Sequence, residues 1–303
     1  MNWDVVGVGA SCVDHVCRLP AFPEPGGVRA KLRVQSQNRA CGGQMATALA
    51  TCARLGLRTA YLGVVGDDDD GRRIRLELAE RGISADHMVV RSSPTATATI
   101  LIDPTGDRIV LWQRDADLSY PPAELPLDVI TSARLLHVDD VDEPAAIEAA
   151  RVARGAGIPV TCDIDHVTPG TEALLPFISH PVFAEAATLE LTGEVDQERA
   201  LRRLRIRLRH AGRLVVTLGD QGALALDGDV LLAVPAFRVS TVDTTGAGDV
   251  FRGGYIYAIL NGWPVATAIR FANAAAAVSC TKQGAMGGVP ALPEIEALLQ
   301  IQA

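Results

Sequence analysis

The sequence is poor in aromatic residues, has no long apolar run and carries no excess of positive charge. Phe, Trp and Tyr together make up 4% of the 303 residues. The core must therefore rest on Ala, Val, Leu and Ile, as in sheets covered by helices. The net charge of −8 excludes a nucleic-acid backbone as the main partner, because tracking phosphates needs a basic surface. The one basic stretch, Arg199 to Arg209, is interleaved with Leu201, Leu204, Ile206 and Leu208. It reads as a helix with one buried stripe and a solvated face. The longest apolar stretch, Phe271 to Cys280, is too short to span a bilayer, and no signal-peptide pattern follows Met1. A soluble cytoplasmic protein without a membrane partner is expected. The six cysteines (Cys12, Cys17, Cys41, Cys52, Cys162 and Cys280) form no C-x-x-C pair and have no His at zinc-ligand spacing. Buried thiols are expected rather than a disulfide framework.

What is present is a β-α-β-α rhythm. Strand-like runs at 5–8, 59–64, 135–138, 158–162 and 214–218 alternate with helical patterns at 42–55, 71–81, 144–155 and 197–210. This predicts a mostly parallel sheet with helices on its faces. Two segments break the rhythm. Val28 to Val34 alternates apolar and polar residues, and Thr97–Ile102 and Arg108–Trp112 flank the turn Asp103-Pro104-Thr105-Gly106-Asp107. They predict a small β lid from about 12–40 and 95–115 on a single domain spanning 1–303. A further hairpin is expected at Asp227-Gly228, and three helices at 246–261, 264–280 and 293–300 close the chain.

The most informative stretch is Val242-Asp243-Thr244-Thr245-Gly246-Ala247-Gly248-Asp249-Val250-Phe251. Small residues open a helix whose first-turn N–H groups have no partner inside it, which makes an anion site. A carboxylate in that turn, Asp249, could take a proton from an attacking hydroxyl while the N–H groups hold a phosphoryl group. An isolated glycine-rich turn also fits an ordinary helix start, so the whole pattern carries the argument.

That pattern resembles the C-terminal signature of the ribokinase-like (PfkB) carbohydrate kinases. Three further blocks resemble the family in its order: Gly42-Gly43 opening a helix, Gly63-Val64-Val65-Gly66-Asp67-Asp68-Asp69-Asp70-Gly71, and Thr217-Leu218-Gly219-Asp220-Gln221-Gly222. The resemblance covers essentially the whole chain. It implies a three-layer α/β/α sandwich with a β lid, and ATP-dependent phosphorylation of a hydroxyl on a small sugar or sugar-like substrate. It implies ATP and Mg2+ as cofactors, with Asp249 as general base and the backbones of Gly246, Ala247 and Gly248 as the anion hole. Thr217, Gly219, Gly222 and Asn273 would line the nucleotide site. Asp14, Gly42, Gly43, Thr47 and Asp140 would face the acceptor, with Asp139 and Asp142 as rivals to Asp140; Arg114, after the lid hairpin, could reach the same pocket. Asp243, with the backbone near Thr245 and Gly284, resembles a monovalent-cation site for K+. A homodimer through the lid is also expected.

Departures from the family pattern are as informative. Thr47 stands where many relatives carry Asn. The usual N-x-x-E pair is replaced by Ala184 and Ala187, with Glu185 and Glu190 as the nearby carboxylates. The runs 162–193 and 239–290 look most like the sulfofructose kinase branch, yet the region after Leu136 is acidic (Asp139, Asp140, Asp142, Glu143). Arg114, Arg33 and Arg39 are the candidate anion anchors, and a neutral sugar fits at least as well. A nucleoside kinase, for which Trp112 would be a stacking candidate, is the first alternative; a non-catalytic sugar or nucleotide sensor is the second. A dinucleotide oxidoreductase reading of Gly7-Val8-Gly9-Ala10-Ser11-Cys12 lacks the third glycine.

Overall fold

Val5 and Val6 are adjacent in one strand yet belong to two different cores, one on each face of a sheet. That split organises the computed structural model, which describes residues 2–302. The chain runs β1 (Trp3–Val8), β2 (Cys12–Arg18), β3 (Ser36–Gly42), α1 (Gln44–Arg54), β4 (Thr59–Leu62), β5 (Val64–Gly66), α2 (Asp69–Glu80), β6 (Val89–Arg91), β7 (Thr97–Ile102) and β8 (Arg108–Gln113). It continues through α3 (Leu127–Thr131), β9 (Ala133–Asp139), α4 (Glu143–Gly155), β10 (Val160–Ile164), α5 (Pro169–Leu174), β11 (His180–Ala184), α6 (Glu185–Thr192), α7 (Gln197–Arg207) and β12 (Arg213–Thr217). It ends with β13 (Ala223–Asp227), β14 (Val230–Val234), α8 (Ala247–Leu260), α9 (Val265–Ser279), α10 (Ala285–Gly288) and α11 (Leu292–Ile301).

The main sheet has the order β14-β13-β12-β11-β10-β9-β1-β4. It is parallel from β4 to β12, and the β12–β13–β14 meander is antiparallel. One face packs against α1, α8 and α9 through residues such as Leu49, Val250 and Phe271; the other packs against α4 and α7 through Ala149, Leu201 and Leu204. Small alanines along α4 (Ala145, Ala146, Ala149, Ala150 and Ala153) let that helix lie close to the sheet. Among the described residues no helix is long and apolar enough to cross a membrane.

β1 sits beside β4 on one side and β9 on the other, so the chain reverses its direction of travel across the sheet there. In open α/β sheets, ligands bind outside the carboxyl ends of the strands at such a point. The second sheet has the order β3-β2-β7-β8, and the chain enters it at β2 directly on leaving the carboxyl end of β1. Its β8 is exposed along its whole length.

Two expectations differ from the structure. No strand forms over Val28–Val34. Gly27–Ala30 make a short 3-10 turn with Val28 92% exposed, and the strand is Ser36–Gly42, paired with β2. An alternating pattern needs a core to face, and that segment has none. The sequence pattern predicts no strand where β11 lies. Pro181 lies within it although the strand is central, and proline normally marks a sheet edge.

Candidate active site

Gly246 precedes α8 at φ +76°, the left-handed region that favours glycine. A β-carbon there would lie 2.8 Å from the Ala285 methyl and 3.3 Å from Thr47 Cγ2. The turn is thus pressed between α10 and α1. Ala247 N–H closes it onto the Thr244 carbonyl at 3.2 Å. The N–H groups of Gly246, Gly248 and Asp249 meet no acceptor among the described residues. Open donors therefore converge at the start of a fourteen-residue helix. Beside them, the buried hydroxyls of Thr47 and Thr245 also have no hydrogen-bond partner among the described residues. This is a cradle that fits an anionic group such as a phosphate.

Asp249 lies in the first turn of α8 and is partly exposed. Burial raises its pKa, Arg252 opposes the shift, and Asp165 and Asp14 add to it. Asp243 anchors the turn from behind. One of its oxygens accepts from Thr245 N and the other from Gly284 N, both at 2.9 Å. From the small sheet, Arg108 Nη1 donates to Thr244 Oγ1 at 2.9 Å and Arg18 Nη2 to the Val242 carbonyl at 3.3 Å. The small sheet is thereby tied to the loop leading into the cradle.

Across from the turn, Asp14 on β2 is 4% exposed, and its carboxylate lies against the Cα of Gly42 on the paired strand β3. Burial pushes its carboxyl up to about 6, against the Cys12 thiol, which donates to Oδ1 at 3.3 Å. Gly43 caps α1 at φ +101°, and a β-carbon there would sit 2.6 Å from the Ser11 backbone. Only a bare backbone lets α1 start this close to the chain leaving β1. Asp14, Ala98 and Trp112 form one cross-strand row, and Arg18 and Arg108 stand on the same face. Trp112 is 73% exposed there.

The acidic run after β9 divides into distinct tasks. Asp139 Oδ2 accepts from Ala10 N at 2.7 Å and Oδ1 from Val141 N at 3.1 Å, joining the ends of β1 and β9. Asp140 Oδ2 accepts from the N–H groups of Asp165 and His166, both at 3.0 Å. Asp142 pairs with Arg114 at 2.7 Å and accepts from Tyr120 N. Arg114 also donates to the Leu118 carbonyl, so its guanidinium is committed to this loop rather than open to a ligand. Arg39 is likewise paired with Asp70, and Arg33 is exposed.

On the far side of the cradle, Thr217 ends β12 with its hydroxyl donating to the Phe183 carbonyl at 3.4 Å. The next loop turns at Gly219 and Gly222, and Gly222 abuts the backbone of Val234–Ala236. Asn273 on α9 donates to the Val234 and Pro235 carbonyls at 3.0 and 3.1 Å. Its amide N–H groups brace this loop region, and among the described residues nothing donates to its carbonyl oxygen. Thr217, the glycine loop and Asn273 thus share one neighbourhood.

The profile of the pfkB family carbohydrate kinase matches residues 4–292. The chain belongs to that family. A nucleoside kinase of Methanothermobacter thermautotrophicus is 30% identical over 294 residues, which cover 95% of this chain and 92% of the relative. A fructokinase of Solanum tuberosum is 32% identical over 279 residues, 86% of each chain. A crystal structure from Agrobacterium tumefaciens, provisionally named a ribokinase, superposes with a TM-score of 0.91 at 30% identity, covering 100% of this chain and 99% of its own. The chain is thus an ATP-dependent carbohydrate kinase of ribokinase-like fold.

In this kinase the alanines of the altered N-x-x-E pair sit where β11 meets α6: Ala184 caps the helix and Ala187 is fully buried. Glu190 accepts from Val167 N at 3.2 Å, while Glu185 is exposed in the first turn of α6. Among the described residues no three His, Cys, Asp or Glu side chains cluster as a metal site. One feature of the kinase's site is not singled out by the sequence pattern. Arg252, Asp163 and Asp165 form a charged cluster beneath the turn. A signal for Arg252 is in the sequence, since it interrupts the apolar start of α8, whereas Asp163 falls just beyond the strand-like run 158–162 and only the structure includes it in β10. Charges in such positions need partners.

Proposed function

We propose that this kinase transfers a phosphoryl group to a hydroxyl of a neutral sugar, with Asp249 as general base and the Gly246–Asp249 turn as anion hole. The observation carrying this reading is that open N–H donors and a carboxylate share one helical turn. Asp249, when ionised, takes the proton of the attacking hydroxyl. The N–H groups of Gly246, Gly248 and Asp249 hold charge on the group being transferred. ATP supplies that phosphoryl group, with Mg2+ drawing its ligands mainly from phosphate oxygens and water. Thr217, Gly219, Gly222 and the carbonyl of Asn273 flank the nucleotide in this reading. Asp14 receives two acceptor hydroxyls, beside Gly42, Gly43 and Thr47. Asp140 acts by holding the 165–166 backbone, and Arg114 by fixing Asp142. With Arg33, Arg39 and Arg114 exposed or engaged elsewhere, a neutral acceptor is favoured over a sulfonated one. The domain reading is one kinase unit over 1–303 with its lid from about 12–40 and 95–115, working in the cytoplasm.

A nucleoside is the second reading, favoured by Trp112 standing in the same cross-strand row as Asp14. ADP release with D-ribose, D-fructose and adenosine as separate acceptors tests the two. Turnover with a free sugar supports the first reading, turnover with adenosine alone supports the second, and none with any neutral acceptor removes both.

Asp14 gives the acceptor site a pH dependence. Its pKa is raised to about 6, so the ionised form that accepts two hydroxyls is lost as pH falls through that value. The acceptor KM is expected to rise below about pH 6, and Asp14→Asn is expected to raise it at every pH and flatten the dependence. An unchanged acceptor KM from pH 5 to 8 would remove Asp14 from the acceptor site.

Two further roles belong to this proposal. Asp243 braces the loop whose carbonyls would surround K+; equal rates in potassium and tetramethylammonium salts would remove that ion. β8 leaves an open edge, with Ile109, Val110, Leu111 and Trp112 between 41% and 73% exposed. These residues support a homodimer through the lid, and a monomeric mass by light scattering at micromolar concentration would refute it.

A further inference from the structure

Arg252 lies one turn beyond Asp249 on α8 and is 3% exposed. Its Nη2 is 2.6 Å from Asp163 Oδ1 and 3.4 Å from Asp165 Oδ1. Asp165 Oδ2 accepts from Nε2 of Gln44, the first residue of α1, at 3.0 Å. On the other side, Arg252 Nη1 would lie 2.9 Å from a β-carbon placed on Gly248. The guanidinium therefore runs from the floor of the sheet to the anion-binding turn. Asp163 is fully buried, and among the described residues its oxygens have no donor besides this ion pair and Arg252 Nε has no partner. A buried pair so sparsely hydrogen-bonded is a poor way to gain stability compared with apolar packing. Its position beneath the turn gives it a different use.

We propose that Arg252 is a positioning residue: anchored on Asp163, it is the internal counter-charge of Asp249 and couples the anion-binding turn to the start of α1 through Asp165 and Gln44. The inference rests on Asp249 being the base of the proposed reaction. The charged and titratable groups around Asp249 come from four elements: Arg252 on α8, Asp163 and Asp165 in and after β10, Asp14 and Cys12 on β2, and Arg108 on β8. Burial raises the Asp249 pKa most strongly, and Arg252 is the largest influence opposing it. Burial also works against the charge of Arg252, but Asp163, Asp165 and Asp249 more than offset it, so the guanidinium stays charged. Burial pushes Asp163 up as well, and the guanidinium at 2.6 Å pulls it back toward the ionised form. Removing the guanidinium lets Asp249 keep its proton to higher pH. Removing the negative charge of Asp165 does the opposite.

The test follows the Asp249 carboxyl by 13C NMR in aspartate-labelled protein without substrate, its resonance assigned by its loss in Asp249→Asn. Arg252→Gln is expected to raise the titration midpoint by about one unit. Arg252→Lys is expected to restore it to within a few tenths, and Asp165→Asn to lower it. A midpoint that does not rise in folded Arg252→Gln overturns the proposal. Should that variant fail to fold, Asp165→Asn decides alone, because its half-exposed side chain tolerates the change, and an unmoved midpoint there overturns the proposal equally. Turnover in Asp249→Asn above about a tenth of the parent's would overturn the base assignment while leaving the titration result intact, so the two failures are distinguishable.

Discussion

Asp249→Asn is expected to lower turnover by about 10²- to 10⁴-fold, equivalent to about 3–5 kcal/mol of activation free energy, while leaving ATP affinity within a few-fold of the parent. The substitution keeps the size and shape of the side chain and the open N–H groups of the turn. What it removes is the carboxylate that accepts a proton. Asp249 sits in the first turn of α8, so the amide also keeps the helix start polar. Isothermal titration with ATP and steady-state rates with a competent acceptor separate the effects. A variant retaining more than about a tenth of parental turnover would sink the role of Asp249. In the parent, burial raises the pKa of this carboxyl, and only its ionised form can act as base. The rate should therefore fall as pH drops through a value above the ordinary carboxylate range, not below it.

Gly246→Ala is expected to be nearly as damaging by a different route. At φ +76° the added methyl costs about 1–2 kcal/mol in backbone strain, and it would sit 2.8–2.9 Å from Ala285. The turn must shift, and its N–H groups with it. Misplacing one such donor costs about 10²–10³ in turnover. Thermal melting should report a moderate loss of stability, and kinetics a much larger loss of kcat. A variant with a lowered melting temperature and unaffected kcat would show that the turn does not hold the transferring group.

The parts legible in the sequence were those encoded locally. The start of α8 was readable because glycines, a carboxylate and an apolar helical pattern fall within ten consecutive residues. The β7–β8 hairpin was readable from its Asp-Pro-Thr-Gly-Asp turn, and the meander closing the sheet from Asp227-Gly228. What escaped depends on contacts between distant segments. β11 contains Pro181 and is held in the sheet by β10 and β12 on either side. The roles of Asp139, Asp140 and Asp142 could not be separated by spacing, since each is fixed by a partner elsewhere: Ala10, the Asp165–His166 backbone, and Arg114. The Arg252–Asp163 pair joins residues 89 positions apart. In the sequence only Arg252, a charge within the apolar start of α8, hints at it.

The central claim is that the turn and Asp249 together move a phosphoryl group onto a hydroxyl, and 31P NMR of the protein with ATP, Mg2+ and neutral sugars tests it most directly. A new phosphomonoester resonance is expected to grow one-for-one with ADP, only when an acceptor is present, and about 10²- to 10⁴-fold more slowly in Asp249→Asn. ADP accompanied by inorganic phosphate alone, or a phosphomonoester formed equally well by Asp249→Asn, would contradict it.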